Sequence, residues 1–147
     1  MVFGHRKRAI TRLVVCEDEP LVAFDHEHLL TEEGFEVVAT VDTAAAAIAA
    51  LDAHPDVHLV LSDVSLAGGT GTGIDVARHA HGLGIAVIYV TGACPPEGRA
   101  FARGCLSKPF RPADLLAAIA AVDGQLQGRP RPRRLPSGFA LFDEEAA

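Results

Sequence analysis

Positive charge is missing from the middle of this chain. Between Leu13 and Asp123 there are five Lys and Arg against sixteen Asp and Glu, and the other eight basic residues lie toward the two ends. A major-groove reader carries its positive charge on a folded face, so an acidic body with basic ends makes nucleic acid a poor candidate partner. Long apolar runs are missing as well. No stretch approaches the ~18 apolar residues that a membrane span needs, and the N-terminal MVFGHRKRAI has basic residues but no apolar signal core after them. The expectation is a soluble, cytoplasmic protein with no membrane partner. Cysteine is scarce: Cys16, Cys94 and Cys105 are odd in number and lack CxxC spacing. That argues against a disulfide framework or a zinc knuckle and for reduced thiols.

What remains is a chain of 147 residues, 49% hydrophobic, which fits one domain with a sizeable core. Ala9 to Cys16 is an apolar, β-branched run that stops at Glu17-Asp18-Glu19, as a buried strand does at a polar edge. Pro20 suits a first helical turn, and Val22, Leu29 and Leu30 mark one face before Gly34 ends the segment. A second strand follows over 35–41, and Asp42 is placed to cap the alanine-rich helix after it.

The alternation continues with a strand over 57–61 ending at Ser62-Asp63, a glycine-rich loop AGGTGTG, a helix over 74–81 and a strand over 85–90 ending at Thr91. Pro95, Pro96, Gly98 and Gly104 leave room for only a short or disordered fourth helix before a strand over 105–107. Pro112 then opens a last helix. Five continuous apolar strands alternating with helices predict an α/β fold, a doubly wound five-stranded parallel sheet. The expected domains are a basic extension over 1–8, this α/β body over 9–123, and a tail over 124–147. Arginine alternates with proline in that tail, which predicts flexible, solvated backbone. Its apolar residues Phe139, Leu141 and Phe142, with the opposite charge of the body, leave docking onto the body as the alternative.

In an open parallel sheet, ligands bind at the carboxyl ends of the strands. Here those ends carry Glu17 and Asp18, Asp63, Thr91 and Lys108. Singly, each has a plain structural use: helix-start acids, a loop cap, a strand-end hydroxyl, a solvated lysine. Together they bring three carboxylates, one hydroxyl and one ammonium to one edge. Crowded carboxylates repel unless a cation sits among them, and an all-oxygen donor set suits magnesium.

The segments VVCEDEP, LVLSDVSL, VIYVTG and LSKPF resemble the defining positions of the receiver domains of bacterial two-component response regulators, over residues 9–123. The resemblance implies the flavodoxin-like receiver fold. It also implies that Asp63 accepts a phosphoryl group from a sensor histidine kinase, with Mg2+ or Mn2+ held by Glu17, Asp18, Asp63 and the Ser65 backbone carbonyl. Thr91 and Lys108 would grip the phosphoryl oxygens, and the Lys108-Pro109 bond would be cis. Such a protein is a phosphoacceptor that assists its own phosphotransfer and dephosphorylation rather than an enzyme. It acts as a stand-alone switch, a phosphorelay member or a phosphate sink, through a downstream protein target or as a homodimer.

Three residues before the lysine, where the family often has tyrosine, stands Cys105. The stretch Tyr89-Val90-Thr91-Gly92-Ala93-Cys94 partially resembles the Phe-Ala-Thr-Gly-aliphatic-Tyr motif of a mostly alphaproteobacterial, single-domain subgroup. Two rivals are weighed. A phosphorylation-independent interaction module fits Cys105 and the short fourth segment. A magnesium-dependent aspartyl phosphohydrolase would want an acid two residues after Asp63, where Ser65 stands. His26, His28, His79 and His81 lack the i, i+4 spacing of helical metal pairs and are read as surface or packing residues. GTGTG, half a dinucleotide fingerprint, does not leave a strand directly and is discounted.

Overall fold

The computed structural model describes residues 7–66 and 71–142. The apolar runs become β1 (Arg12–Cys16), β2 (Glu36–Val41), β3 (Leu59–Ser62), β4 (Ala86–Thr91) and β5 (Gly104–Ser107). The helices between and after them are α1 (Pro20–Glu32), α2 (Ala44–Ala53), α3 (Gly73–Gly82) and α4 (Pro112–Leu126). With a sixth strand, β6 (Phe139–Leu141), the strand order is β2-β1-β3-β4-β5-β6, and the first five strands are mutually parallel. This is the doubly wound flavodoxin-like architecture. Parallel neighbours need crossover helices, and these fall on both faces. Leu30 of α1 and Leu115 and Ile119 of α4 pack with Leu13, Val15 and Leu61 on one face. Ala47 and Leu51 of α2 and Val76 and Ala80 of α3 pack with Val14, Val60 and Val87 on the other.

Local signals set the element ends. Pro20 is the first residue of α1, and Gly34 (φ 92°) takes the left-handed turn after it that a side chain would resist. The N-cap of α2 is Thr43 rather than the expected Asp42, its hydroxyl accepting from the Ala46 N–H at 3.1 Å. Thr43→Ala should cost about 1 kcal/mol, read as a lower midpoint in urea with an unchanged slope. Between β4 and β5 the chain makes one 3₁₀ turn (Pro96–Phe101), so the fourth helix is short, as the prolines require.

Three expectations are corrected. First, the sheet has six strands: β6 (Phe139–Leu141) pairs antiparallel with β5, with Cys105 opposite Ala140. Second, the segment expected to be a flexible tail from residue 124 is ordered against the body through residue 142. Phe139 and Leu141 join the core on the α1 and α4 face and Phe142 joins it on the other, as the two-residue period of a strand dictates. The unpaired edge of β5 offers the backbone partners: Ser107 N–H donates to Gly138 O at 2.9 Å and Phe142 N–H to Arg103 O at 2.8 Å. Apolar burial and edge pairing hold the segment, with Arg99 stacked on the Phe142 ring at 4.2 Å. Third, Cys94 and Cys105 are joined in a disulfide, and only Cys16 is a free thiol. The glycine-rich loop after Asp63 lies partly outside the described residues, and 1–6 and 143–147 lie wholly outside them.

Candidate functional site

The strand ends converge as the sheet order requires, because β1 and β3 are direct neighbours and β4 and β5 follow. Glu17 leaves β1 with its N–H donating to Val41 O at 2.9 Å, and Asp63 leaves β3 with its N–H donating to Cys16 O at 3.0 Å. Glu17 is 3% exposed and Asp63 8% exposed. Lys108 reaches across from the end of β5, donating to Glu17 Oε1 at 2.8 Å and to Asp63 Oδ2 at 2.9 Å. Its own N–H donates to Thr91 O at 2.8 Å, which ties the ends of β4 and β5 together. The Lys108-Pro109 peptide is cis.

The carboxylates are oriented by backbone donors. Ser65 N–H donates to Asp63 Oδ1 at 3.1 Å and Glu19 N–H to Glu17 Oε2 at 3.1 Å. One oxygen each from Glu17, Asp18 and Asp63 lies within 4.8 Å of the others, a hard, all-oxygen donor set that fits a divalent cation such as magnesium. Burial pushes the Glu17 carboxyl up from its ordinary value and the Asp63 charge adds to this, while Lys108 and the Glu19 N–H oppose it. Burial alone would lower the Lys108 ammonium, but its hydrogen bonds to Glu17 and Asp63 outweigh that and hold it above the usual lysine value. The lysine stays charged at neutral pH.

Of the residues read from the sequence, Glu17, Asp18, Asp63 and Lys108 form one cluster. Thr91 ends β4 at the same edge, 4% exposed, and Ser65 is bound to the cluster through its N–H. Two further residues stand beside the site: His26, which the sequence marks only as a surface or packing histidine, and Gly73. His26 is buried on α1 and stacked on Phe110 with ring centroids 5.6 Å apart; burial, then the Lys108 charge, depress its pKa. Gly73 begins α3 directly against Asp63, and a Cβ there would fall 2.0 Å from the Asp63 carbonyl oxygen. GTGTG was the available signal, and at Gly73 what it serves is close backbone approach rather than nucleotide binding. The other histidines are structural: His79 meets Asp52 at 2.8 Å, His81 packs edge-on to Phe101, and His28 stacks with Phe24.

The doubly wound sheet thus gathers three carboxylates and one ammonium at its carboxyl edge, where open α/β sheets bind their ligands. The chain belongs to the response regulator receiver domain family, which matches residues 13–120. It is 31% identical over 114 residues to the phyllosphere-induced regulator PhyR of Methylorubrum extorquens, covering 74% of this chain and 42% of that protein. It is 34% identical over 115 residues to the transcriptional regulatory protein PdtaR of Mycobacterium tuberculosis, covering 74% of this chain and 54% of that one. The crystal structure of the response regulator PhyR from Brucella abortus superposes with a TM-score of 0.66 at 30% identity, over 83% of this chain and 51% of that chain. The chain thus spans about half the length of the curated relatives it matches. Receiver domains of two-component response regulators are phosphoacceptor modules rather than classical enzymes. No helix among the described residues is long and apolar enough to cross a membrane.

Proposed function

We propose that Asp63 is the phosphoacceptor, taking a phosphoryl group from a phosphohistidine of a cytoplasmic sensor kinase. The carrying observation is the bifurcated grip of Lys108 on Asp63 and Glu17 inside a three-carboxylate cluster. An Asp63 oxygen attacks the phosphorus, the P–N bond breaks, and the departing imidazole keeps the electron pair and takes a proton. Two anions must approach for this, so neutralisation and position supply most of the rate. Glu17, Asp18, Asp63 and the Ser65 carbonyl would hold Mg2+, which supplies charge neutralisation at the phosphoryl oxygens when bound. Lys108 turns from Asp63 toward a phosphoryl oxygen. Thr91 donates its hydroxyl to another, and its movement carries the signal to a downstream protein. Leu21 and Phe24, 78% and 65% exposed on α1 beside the site, offer the apolar contact for the donor domain.

The test is phosphoryl uptake from an acyl phosphate, followed by intact mass. Uptake should be stoichiometric with Mg2+ and fall at least about tenfold when a chelator removes the metal. Equal uptake with and without the metal would contradict the assignment, and continuous turnover of varied phosphate esters would favour the phosphohydrolase.

A further inference from the structure

The disulfide is the one covalent link between the two arms of the site. Cys94 stands three residues after Thr91 and Cys105 three before Lys108, and their Cα atoms are 6.1 Å apart. Cys105 is fully buried on β5 beside Tyr89 of β4, whereas Cys94 is exposed. The bond therefore straps the segment leaving Thr91 onto the face of β5, with the Cys94 sulfur 3.8 Å from Ser107 Oγ. The rest of the connection has anchors of its own. Tyr89 donates its hydroxyl to Gly98 O at 2.7 Å, and Phe101 lies against Arg78 and His81. Pro95 is tied to the 3₁₀ turn by Gly98 N–H donating to its carbonyl at 3.2 Å, so among the described residues it is 92–94 that depend on the disulfide for their place.

A bond that spans 11 residues, with one of its two cysteines exposed and the surrounding core already closed, serves poorly as a staple. Inside a cell that keeps thiols reduced, such a bond is a state and not a fixture. The third cysteine does not compete, since Cys16 is 1% exposed. We infer that Cys94 and Cys105 form a thiol–disulfide exchange site for a dithiol protein of the thioredoxin class, and that the oxidised state pins the segment after Thr91 and blocks its response to phosphorylation. A partner thiolate attacks the sulfur of Cys94, the exposed cysteine of the pair, the Cys94–Cys105 bond breaks, and Cys105 leaves and takes a proton. The partner's second thiol then attacks its own sulfur in the mixed disulfide and releases Cys94 as a thiol. Two electrons and two protons pass to the protein, and the partner departs as a disulfide.

The role of Thr91 in this inference rests on the proposed phosphoacceptor function; the exchange and the strap do not. The experiment has two arms. In the first, without phosphodonor, the full chain is treated with a reduced dithiol, with oxidised glutathione, or with reduced thioredoxin, then denatured and alkylated. Three modified cysteines are expected after either reductant and one, Cys16, after oxidation. Backbone order parameters at Gly92, Ala93 and Cys94 should drop from about 0.85 to below about 0.6 on reduction, while Glu97 to Phe101, in the 3₁₀ turn, stay ordered. Cys94→Ser under oxidising conditions should match the reduced protein without disturbing the buried Cys105. Three alkylated cysteines after oxidation, or unchanged order in both the reduced protein and Cys94→Ser, would overturn the inference.

In the second arm, acyl phosphate is added to both forms. Uptake should agree within about twofold, because neither sulfur touches the carboxylate cluster, while chemical-shift changes along β4 and β5 should appear in the reduced form alone. Equal shift changes in both forms overturn the gating. Absence of uptake in both forms refutes the phosphoacceptor reading and with it the gating, and leaves the first arm to decide the exchange site.

Discussion

Asp63→Asn is expected to reduce phosphoryl uptake to background while leaving a folded protein. The amide has the shape of the carboxylate but its oxygen is not a usable nucleophile, and no other carboxylate at the site has the same placement. Glu17 is engaged by Glu19 N–H and Lys108, and Asp18 belongs to the α1 side of the cluster. The fold should survive because what fixes Asp63 is main chain: its N–H to Cys16 O at 3.0 Å, and the Ser62 hydroxyl donating to its carbonyl at 3.0 Å. The asparagine oxygen can still accept from Ser65 N–H. Lys108 keeps Glu17 as its partner, so no buried ammonium is orphaned. Intact mass after acyl phosphate treatment, with a thermal melt beside it, reads both halves. Uptake equal to that of the unaltered protein would move the acceptor elsewhere.

Gly73→Ala should be nearly as damaging from a position that carries no chemistry. The added Cβ would lie 2.0 Å from the Asp63 carbonyl oxygen, 2.8 Å from its carbonyl carbon and 2.8 Å from Val64 Cα. These are backbone atoms and cannot swing aside. Either α3 slides along the sheet or the end of β3 shifts, and Gly73 N–H, which donates to Val64 O at 2.9 Å, resists both. Overpacking of this kind costs about 3 kcal/mol. Displacing the nucleophile by about 1 Å costs on the order of a hundredfold in rate. The control is Gly82→Ala at the other end of the same helix, where a Cβ meets nothing within 4 Å; there the better helix propensity of alanine should add up to about 1 kcal/mol. Denaturant midpoints and uptake rates of the two variants should diverge, and similar values for both would show that the contact at Asp63 is not tight.

The contrast between these two glycines shows where reading the chain reached and where it stopped. Alternating apolar runs, each halted by a polar residue, were enough to place β1 through β5 and to bring Glu17, Asp18, Asp63, Thr91 and Lys108 to one edge, because burial and period are properties of the chain itself. Gly73 was visible only as part of a glycine-rich string. Its necessity is a through-space contact with Asp63, the residue that follows β3 and stands ten positions earlier. The Cys94–Cys105 bond was illegible for the same reason: it depends on the register that sets Tyr89 opposite Cys105, and no cysteine spacing encodes that. β6 escaped because three residues beyond an arginine-proline run carry almost no periodic signal, and an unpaired sheet edge is needed to give them a place. Thr43 in place of Asp42 is a one-residue boundary error between two good capping side chains.

The antiparallel course of β6 also decides at which pole of the sheet the described residues finish. Leu141 pairs with Gly104 at the start of β5, so Phe142 comes out at the pole of the sheet remote from Asp63. Lys7 and Ala9 are fastened at that pole too, by Gln127 Nε2 to Lys7 O at 3.0 Å and by the Ala9 N–H to Asp123 Oδ2 at 2.8 Å. Lys7 and Phe142, the outermost described residues, therefore both lie on the underside of the molecule, and the approach to the carboxylates is left clear of them for a large phosphodonor.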